Sequence, residues 1–461
     1  MTTLDASPEL AASVSCPVYT PADPEYAAEI AAFNLAVTHT PAFVVAVRDA
    51  EDVAATVRWA AGAGLPVAVQ ATGHGANLAV DSGVLISTRH MTGVEVDAGT
   101  RTATVEAGAR WKQLLEVSLP HGLVGLHGST TDVGVVGYTV GGGLPIFGRR
   151  YGFAADLVRS FEVVTGDGQL RHADADHEPE LYWALRGGKG NVGVVTSLTF
   201  DLVPTPQVYG GAIFFPGEHA PQLLATYREW VRTVPDAMCS ALILLRLPPL
   251  PDIPEPLRGQ FVVHLCIAYA GSAEDGARLL APLRDTAPAI MDTVAEMDYA
   301  DIDRIFEDPD HPVPAKEGCT LLGELTEDAV AALLEQAGPG VQCPLVMVQL
   351  RHLGGALDRA PEIADAVTGR GAQFSVSAIG MLAPQVAELV PSAMASLLDA
   401  MAPHSTGLSM VNLHGTPGDD ADRARAWDEQ TYARLCRARA TYDPAGLFAF
   451  GHAVSTASGA S

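Results

Sequence analysis

His74 is the residue whose setting most clearly allows chemistry. It lies in Gln70-Ala71-Thr72-Gly73-His74-Gly75-Ala76-Asn77, directly after the apolar run Leu65-Pro66-Val67-Ala68-Val69. An imidazole on a tight turn among small residues is open to a bulky ligand. The flanking glycines admit close backbone approach, and the free amides of such a turn bind phosphate. These properties suit a cofactor with a pyrophosphate and a reactive ring. Taken alone, a histidine in a glycine loop reads more readily as a turn or surface residue than as a catalytic one, but two further segments add to it. Gly128-Ser129-Thr130-Thr131-Asp132-Val133-Gly134-Val135-Val136-Gly137-Tyr138-Thr139-Val140-Gly141-Gly142-Gly143-Leu144 is a second loop built for close approach. Trp183-Ala184-Leu185-Arg186-Gly187-Gly188-Lys189-Gly190-Asn191-Val192-Gly193-Val194-Val195-Thr196 is a third.

Gly188, Gly190 and Gly193 spell G-x-G-x-x-G, yet a Rossmann fingerprint follows a strand and opens a helix. Here the helix-like Glu180-Leu181-Tyr182-Trp183-Ala184-Leu185 comes first and the β-rich Val194 to Phe200 follows, so the nicotinamide reading fails. No Gly-Lys-Ser/Thr ends either glycine run, which removes a Walker loop.

The elements that must position these loops are legible in part. Phe43 to Val47 reads as a strand, Asp49 as a helix cap, and Val53, Val57, Ala60 and Ala61 as the apolar stripe of the following helix. A strand over Pro66 to Gln70 completes a β-α-β unit that delivers His74. Strands at Val84 to Ser87, Val94 to Asp97 and Thr102 to Glu106 are expected to continue that sheet. Trp111 to Leu119 is a helix stopped by Pro120 and Gly122, and Phe161 to His172 is a hairpin turning at Gly166-Asp167-Gly168. The pattern changes near Pro204-Thr205-Pro206. Strands then recur at Ala212 to Phe215, Ala241 to Leu245, Phe261 to Leu265, Leu345 to Leu350 and Gln373 to Ser377, with helices over Glu327 to Gln336 and Gln385 to Met401. This predicts an antiparallel sheet with helices on one face. The prolines from Pro248 to Pro256 belong in a hairpin tip rather than a central strand. Asp419 to Arg439 suits a helix covering the second domain, after which Phe448 to Val454 rejoins the first.

With 461 residues the chain has room for about two or three domains. Lys and Arg total 28 against 54 for Asp and Glu, a net charge of -26. That field repels phosphate backbones and anionic lipid, so neither nucleic acid nor membrane is an expected partner. Met1 to Glu9 has no secretory pattern and no apolar run is long enough to span a bilayer. The six cysteines lie far apart without C-x-x-C spacing. The expectation is a cytoplasmic protein with reduced, buried thiols and no metal site.

In their order, and with the tail Ala440-Thr441-Tyr442-Asp443-Pro444-Ala445-Gly446-Leu447-Phe448, the three loops resemble the FAD-binding domain of the PCMH or vanillyl-alcohol-oxidase superfamily. The likeness is closer to its berberine-bridge-enzyme-like branch and runs from about Pro41 to Phe200 and again through the tail. It implies an α+β fold: a two-subdomain PCMH-type FAD-binding domain over residues 1–206, a substrate domain with an antiparallel sheet covered by helices over 207–439, and a segment over 440–461 returning to the FAD domain. It also implies FAD tethered at its 8α-methyl through a single covalent bond to His74. Ala71, Thr72, Gly73, Gly75, Ala76 and Asn77 would line the flavin from the first loop. Gly128, Ser129, Thr130, Val133, Gly134, Gly137, Tyr138 and Gly141 would do so from the second, and Asn191, Gly193 and Val195 from the third. His452 would reach it from the tail. Thr130 stands where many relatives carry a second tethering Cys, and a hydroxyl cannot replace that thiolate.

Val133 resembles the small residue that leaves room for oxygen in oxidases. Thr139 and Leu144 resemble positions in bacterial natural-product flavoenzymes, similar to the enterocin favorskiiase, that form a flavin N5-oxide. The branch's catalytic Glu is replaced near Ser375, so Tyr138, Gln349 and Arg351 become the catalytic candidates beside Thr139 and Leu144. On a strand Gln349 and Arg351 share a face, with His352 opposite. Facing the flavin, Arg351 would stabilise an oxyanion and Gln349 would orient the substrate.

The resemblance implies an FAD-dependent oxidase that passes electrons from an alcohol or activated C–H of a small organic molecule, of secondary-metabolite type, to O2. Two alternatives stay open: an oxygenase acting on a polyketide-like substrate, and a catalytically silent flavin-binding protein.

Overall fold

The computed structural model describes residues 3–455. Its first sheet holds three parallel strands, Phe43–Ala46, Val84–Ser87 and Val67–Gln70 in that spatial order, edged by the antiparallel Val18–Tyr19. The helix Ala50–Ala63 joins the outer two parallel strands. The Asp49 carboxylate accepts from the Asp52 N–H at its start and Gly64, left-handed at φ 66°, closes it. Val53, Val57 and Ala60 are buried against Phe43, Val45 and Val67, whereas Ala61, expected in the apolar stripe, is exposed.

Val94–Asp97 and Thr102–Glu106 do not continue this sheet. They form the edge of a second, antiparallel one, followed in space by Val194–Asp201, Val158–Val164 and Leu170–Ala173. The residues explain the difference. Val84–Ser87 is buried on both sides, as a central parallel strand must be, whereas Glu95 and Asp97 alternate outward from Val94 and Val96. The helices Trp111–Ser118 and Pro179–Leu185 pack on this second sheet.

Downstream lies one large antiparallel sheet in the order Met291–Asp292, Val208–Pro216, Phe261–Ala270, Met238–Arg246, Met347–His352, Phe374–Met381 and Ala315–Leu322. Four helices, Ala220–Trp230, Ala273–Arg284, Glu327–Ala337 and Val390–Met401, cover one face. Leu223, Leu280, Leu333 and Leu397 meet Leu242, Leu265, Leu350 and Val376 there. The fourth helix starts at Val390 rather than Gln385, with Pro391 in its first turn, where a missing N–H costs nothing. The proline cluster does form the tip between Met238–Arg246 and Phe261–Ala270. Ala315–Leu322 has no sequence counterpart among the expected strands, because Lys316, Glu317 and Gly318 mask its alternation.

Asp419 to Arg439 forms two helices, Asp420–Ala424 and Glu429–Tyr442. The longer packs on Pro179–Leu185 of the first half rather than covering the second domain: Leu435 and Ala438 enter that core and Arg434 lies over the Trp183 ring. The tail returns as expected. Leu447 accepts from Val67 N–H at 2.8 Å, and Arg439 donates to the carbonyls of Phe448 and Val454 while pairing with Asp443 at 3.4 Å. Asp443, fully buried, accepts in turn from the Leu447 and Phe448 amides. All six cysteines are free thiols. Arg439→Met leaves that carboxylate buried without its cation, and a loss of roughly 3–5 kcal/mol is expected. A lowered urea midpoint at unchanged m-value is the measurement that checks it.

Candidate functional site

The strand Val67–Gln70 delivers the first loop, which is fastened to the preceding segment by Phe33 N–H to Thr72 O and Asn34 N–H to Gly73 O. Gly73 is left-handed at φ 74°, and a Cβ there would come within 2.6 Å of Ala32 Cα, so only glycine fits. The His74 ring stacks on Phe33 at 3.8 Å between centroids, and its Nδ1 lies 2.8 Å from Thr72 Oγ1. Its Nε2 is buried without a partner among the described residues. Burial pushes the imidazole pKa down to about 4, so the ring is neutral at pH 7.

The second loop abuts the first, with a Cβ built at Gly134 falling 3.6 Å from Thr72 and 3.8 Å from Ala71. Thr130 Oγ1 accepts from Asp132 N–H, Asp132 pairs with Arg110 and Lys112, and Thr131 donates from N and Oγ1 to Asp303 of the second half. Burial pushes the Asp308 carboxyl up, against the pull of Ser129 and Arg351. Val133 packs partly into the second-sheet core. Gly128 lies against the Tyr138 ring, which meets Trp111 edge-on at 5.5 Å. A side chain at Gly137 would enter open space, whereas one at Gly141 would strike Asn412.

In the third loop the Asn191 side chain is wholly engaged. It donates to Gly188 O and His452 O and accepts from Val454 N–H, so it clasps the tail. Gly193 is required by Val163 and Val164, against which a Cβ would fall at 2.7 Å, and the Val195 side chain belongs to the core. Any contact these three make with a ligand is through the backbone. Asn77 Nδ2 donates to Gly415 O and lies 3.4 Å from His452 Nδ1, which brings the tail to the first loop.

Opposite stands the uncovered face of the large sheet. Arg351 pairs across the strands with Ser375, and Ser375 with Leu321; Gln349 pairs with Ser377, and Ser377 with Cys319; Met347 pairs with Ile379, and Ile379 with Glu317. Cross-strand partners share a face. Gln349 and Arg351 therefore look toward the loops, as their spacing anticipated. Arg351 donates to Pro145 O at 2.8 Å and covers Phe306, but has no ion pair among the described residues. His352 is on the far face, stacked on Phe374 and accepting at Nε2 from Arg149 at 3.0 Å. Leu144 packs with Phe153, Leu321 and Leu357. His127 donates from Nδ1 to Gly128 O and so accepts from Tyr299 OH at Nε2.

Two charged residues here were not singled out from the sequence. Lys189, left-handed at φ 61° in the third loop, places Nζ 3.3 Å from Gly137 O. Glu317 lies on the unforeseen strand Ala315–Leu322. Burial pushes the Glu317 carboxyl up to about 7, against the pull of Lys189, and pushes the Lys189 amine down to about 8.

The buried Nε2 of His74, Tyr138 OH, Thr139 Oγ1, Ser375 Oγ, Ser377 Oγ and His452 Nε2 all lack partners among the described residues. Each such atom costs about 1–3 kcal/mol unless something bonds it. The loops and the sheet face that carry them suit a large ligand with many acceptors and donors, which is what FAD is. No group of three metal-ligating side chains occurs among the described residues, and no helix there is long and apolar enough to cross a membrane.

The comparisons agree with this geometry. Residues 41–174 match the family described as "FAD binding domain". An uncharacterized FAD-linked oxidoreductase of Bacillus subtilis is 27% identical over 93% of this chain and 95% of its own. One of Arthroderma benhamiae is 32% identical, but the match spans 38% of this chain and 36% of that one. (R)-6-hydroxynicotine oxidase of Paenarthrobacter nicotinovorans is 26% identical over 57% of this chain and 56% of its own. Among solved structures, BBE-like 1 of Physcomitrella patens superposes with a TM-score of 0.85 at 19% identity, covering 99% of this chain and 100% of that one. The xylooligosaccharide oxidase of Myceliophthora thermophila gives 0.85 at 21%, with 99% of each chain covered.

Fold and FAD-binding region thus define an FAD-linked oxidoreductase. Its fold is the one shared with BBE-like 1 and the xylooligosaccharide oxidase.

The buried histidines set a pH dependence. Burial holds His74 and His264 at about 4 and His352 and His452 at about 3. An unfolded chain takes up these protons near pH 6.5. Below that pH the unfolded state binds more protons, so this stability is present above about 6.5 and is lost as pH falls toward the folded values. Urea midpoints are expected to fall between pH 7 and pH 5, with a shallower slope in His452→Asn.

Proposed function

We propose that this chain is an FAD-dependent oxidase with its flavin joined covalently to His74, oxidising an alcohol or activated C–H of a small, secondary-metabolite-like molecule with O2 as electron acceptor. The observation that carries the reading is His74 itself: a neutral imidazole, oriented by Phe33 and Thr72, with a buried unpartnered Nε2 at the meeting of two glycine-bearing loops. The oxidase class is supported by the nicotine oxidase among the relatives.

FAD, when bound, supplies a two-electron acceptor that O2 can regenerate. The first two loops hold it, chiefly through Thr72, Gly73, Gly128 and Gly134. Gly137 leaves the space beside Tyr138 free, and Asn77 with His452 closes one end. Thr130 offers no thiolate, so a single tether is proposed. The substrate lies between residues 1–206, joined by the tail, and the sheet of 207–439. Gln349 orients it, and Arg351, without a carboxylate of its own, stabilises negative charge developing on the substrate oxygen. Tyr138 keeps its proton because burial raises its pKa, so it acts as a donor.

An oxygenase reading rests on one further observation: the Thr139 hydroxyl is buried and unpartnered in the helix Val135–Thr139, a few residues from Leu144. Labelled O2 separates the readings, because label in the product supports the oxygenase and peroxide release supports the oxidase. Failure of photoreduced protein to reoxidise in air would instead support a silent flavin carrier.

Acid precipitation of the purified protein is expected to keep the yellow colour in the pellet, with the flavin mass on the peptide containing His74 and on no other. His74→Ala is expected to release it to the supernatant, and colour released from the unsubstituted protein would overturn the tether. Arg351→Met is expected to lower kcat/KM about 100-fold with flavin content unchanged.

A further inference from the structure

Removing electrons from an alcohol or acidic C–H requires somewhere for its proton to go, and most polar groups in the cleft cannot accept it. Arg351 is always protonated. Tyr138 keeps its proton, His127 is engaged at both nitrogens, and His352 lies on the far face of the sheet. Ser375 is a neutral hydroxyl. Asp303 is taken by Thr131, and Asp308 lies off the sheet, in the loop after the turn Tyr299–Ile305. Glu317 is different. It stands on the same sheet face as Gln349 and Arg351, and its carboxyl makes no hydrogen bond or ion pair among the described residues. Lys189, in the glycine loop of the other domain, makes no ion pair with it among the described residues, and its ammonium favours the ionised carboxylate through the field alone.

Resting on the oxidase reading, we propose that Glu317 takes the substrate's proton, with Lys189 as its positioning cation. The substrate's O–H or activated C–H bond breaks, its electron pair stays on the substrate, and the proton forms an O–H bond on Glu317, which becomes neutral. No co-reactant is needed for this transfer. A carboxyl near 7 is matched to that task at neutral pH. The other titratable or charged groups around the pair are Cys319 on the same strand and, behind Lys189, His414, His452, Asp422 and Arg423.

The sign of the Lys189 effect separates this role from a structural one. The ammonium favours the ionised carboxylate, so Lys189→Met raises the pKa of Glu317 and moves the rising limb of the pH–rate profile to higher pH. With the compound that bleaches the flavin fastest from a panel of sugars, secondary alcohols, hydroxypyridines and 1,3-diketones, Glu317→Gln is expected to slow anaerobic flavin reduction by about 100-fold or more and to abolish that limb. Flavin content and melting temperature should stay unchanged, and Asp308→Asn should keep the limb. An unaltered rate in Glu317→Gln, or loss of the limb in Asp308→Asn instead, overturns the proposal. Infrared titration of protein carrying isotope-labelled glutamate needs no substrate. A carboxyl band titrating near neutrality, absent in Glu317→Gln and displaced upward in Lys189→Met, supports the assignment, and a Glu317 ionised throughout pH 5–9 overturns it. If no compound bleaches the flavin, the oxidase reading fails and the infrared result alone judges Glu317.

Discussion

The architecture depends on one close approach, where the backbone at Gly73 passes so near Ala32 that no side chain fits between them. That contact fixes where the first loop leaves its strand, and so the plane in which Phe33 holds the imidazole. The second loop leans on the first through Gly134, and the tail leans on the first and third loops through Asn77 and Asn191. Four segments distant in sequence thus share one backbone-dense corner, and side chains would push them apart. Glycine pays here with unfolded-state entropy, which the buried sheets on either side offset.

Burial does most of the electrostatic work around this corner. Neutral imidazoles, a raised carboxyl and a lowered amine share one cause, removal from water without a neutralising contact. The Arg370 pairs with Asp156 and Asp365 show the other solution, in which buried charges meet directly. A site that leaves Arg351, Lys189 and Glu317 without such contact carries an energetic cost, as functional sites commonly do.

The loops were readable because glycine and histidine in a tight run mean the same thing wherever the chain folds. The substrate-side sheet was readable in outline, since most strands there carry long apolar runs. Ala315–Leu322 was not: Gly318 yields to Met394 of the covering helix, and Glu317 interrupts the face that would mark a core strand. Glu317 went unnoticed with it. Parity along a strand was enough to place Gln349 and Arg351 together. It could not show that Val94–Asp97 changes sheets, because sheet membership depends on partners rather than on local pattern. The helix at Glu429–Tyr442 misled for a related reason, as its apolar positions do not say which domain they cover.

The order of synthesis follows from the tail. Val67 bonds Leu447, and Asn191 grips residues 452 and 454, so the strand that delivers His74 and the loop that carries Lys189 both await residues 447–454. A chain still emerging from the ribosome has the glycine loops but nothing to clasp them. Cofactor capture therefore comes only after residues 447–454 have been made and have docked.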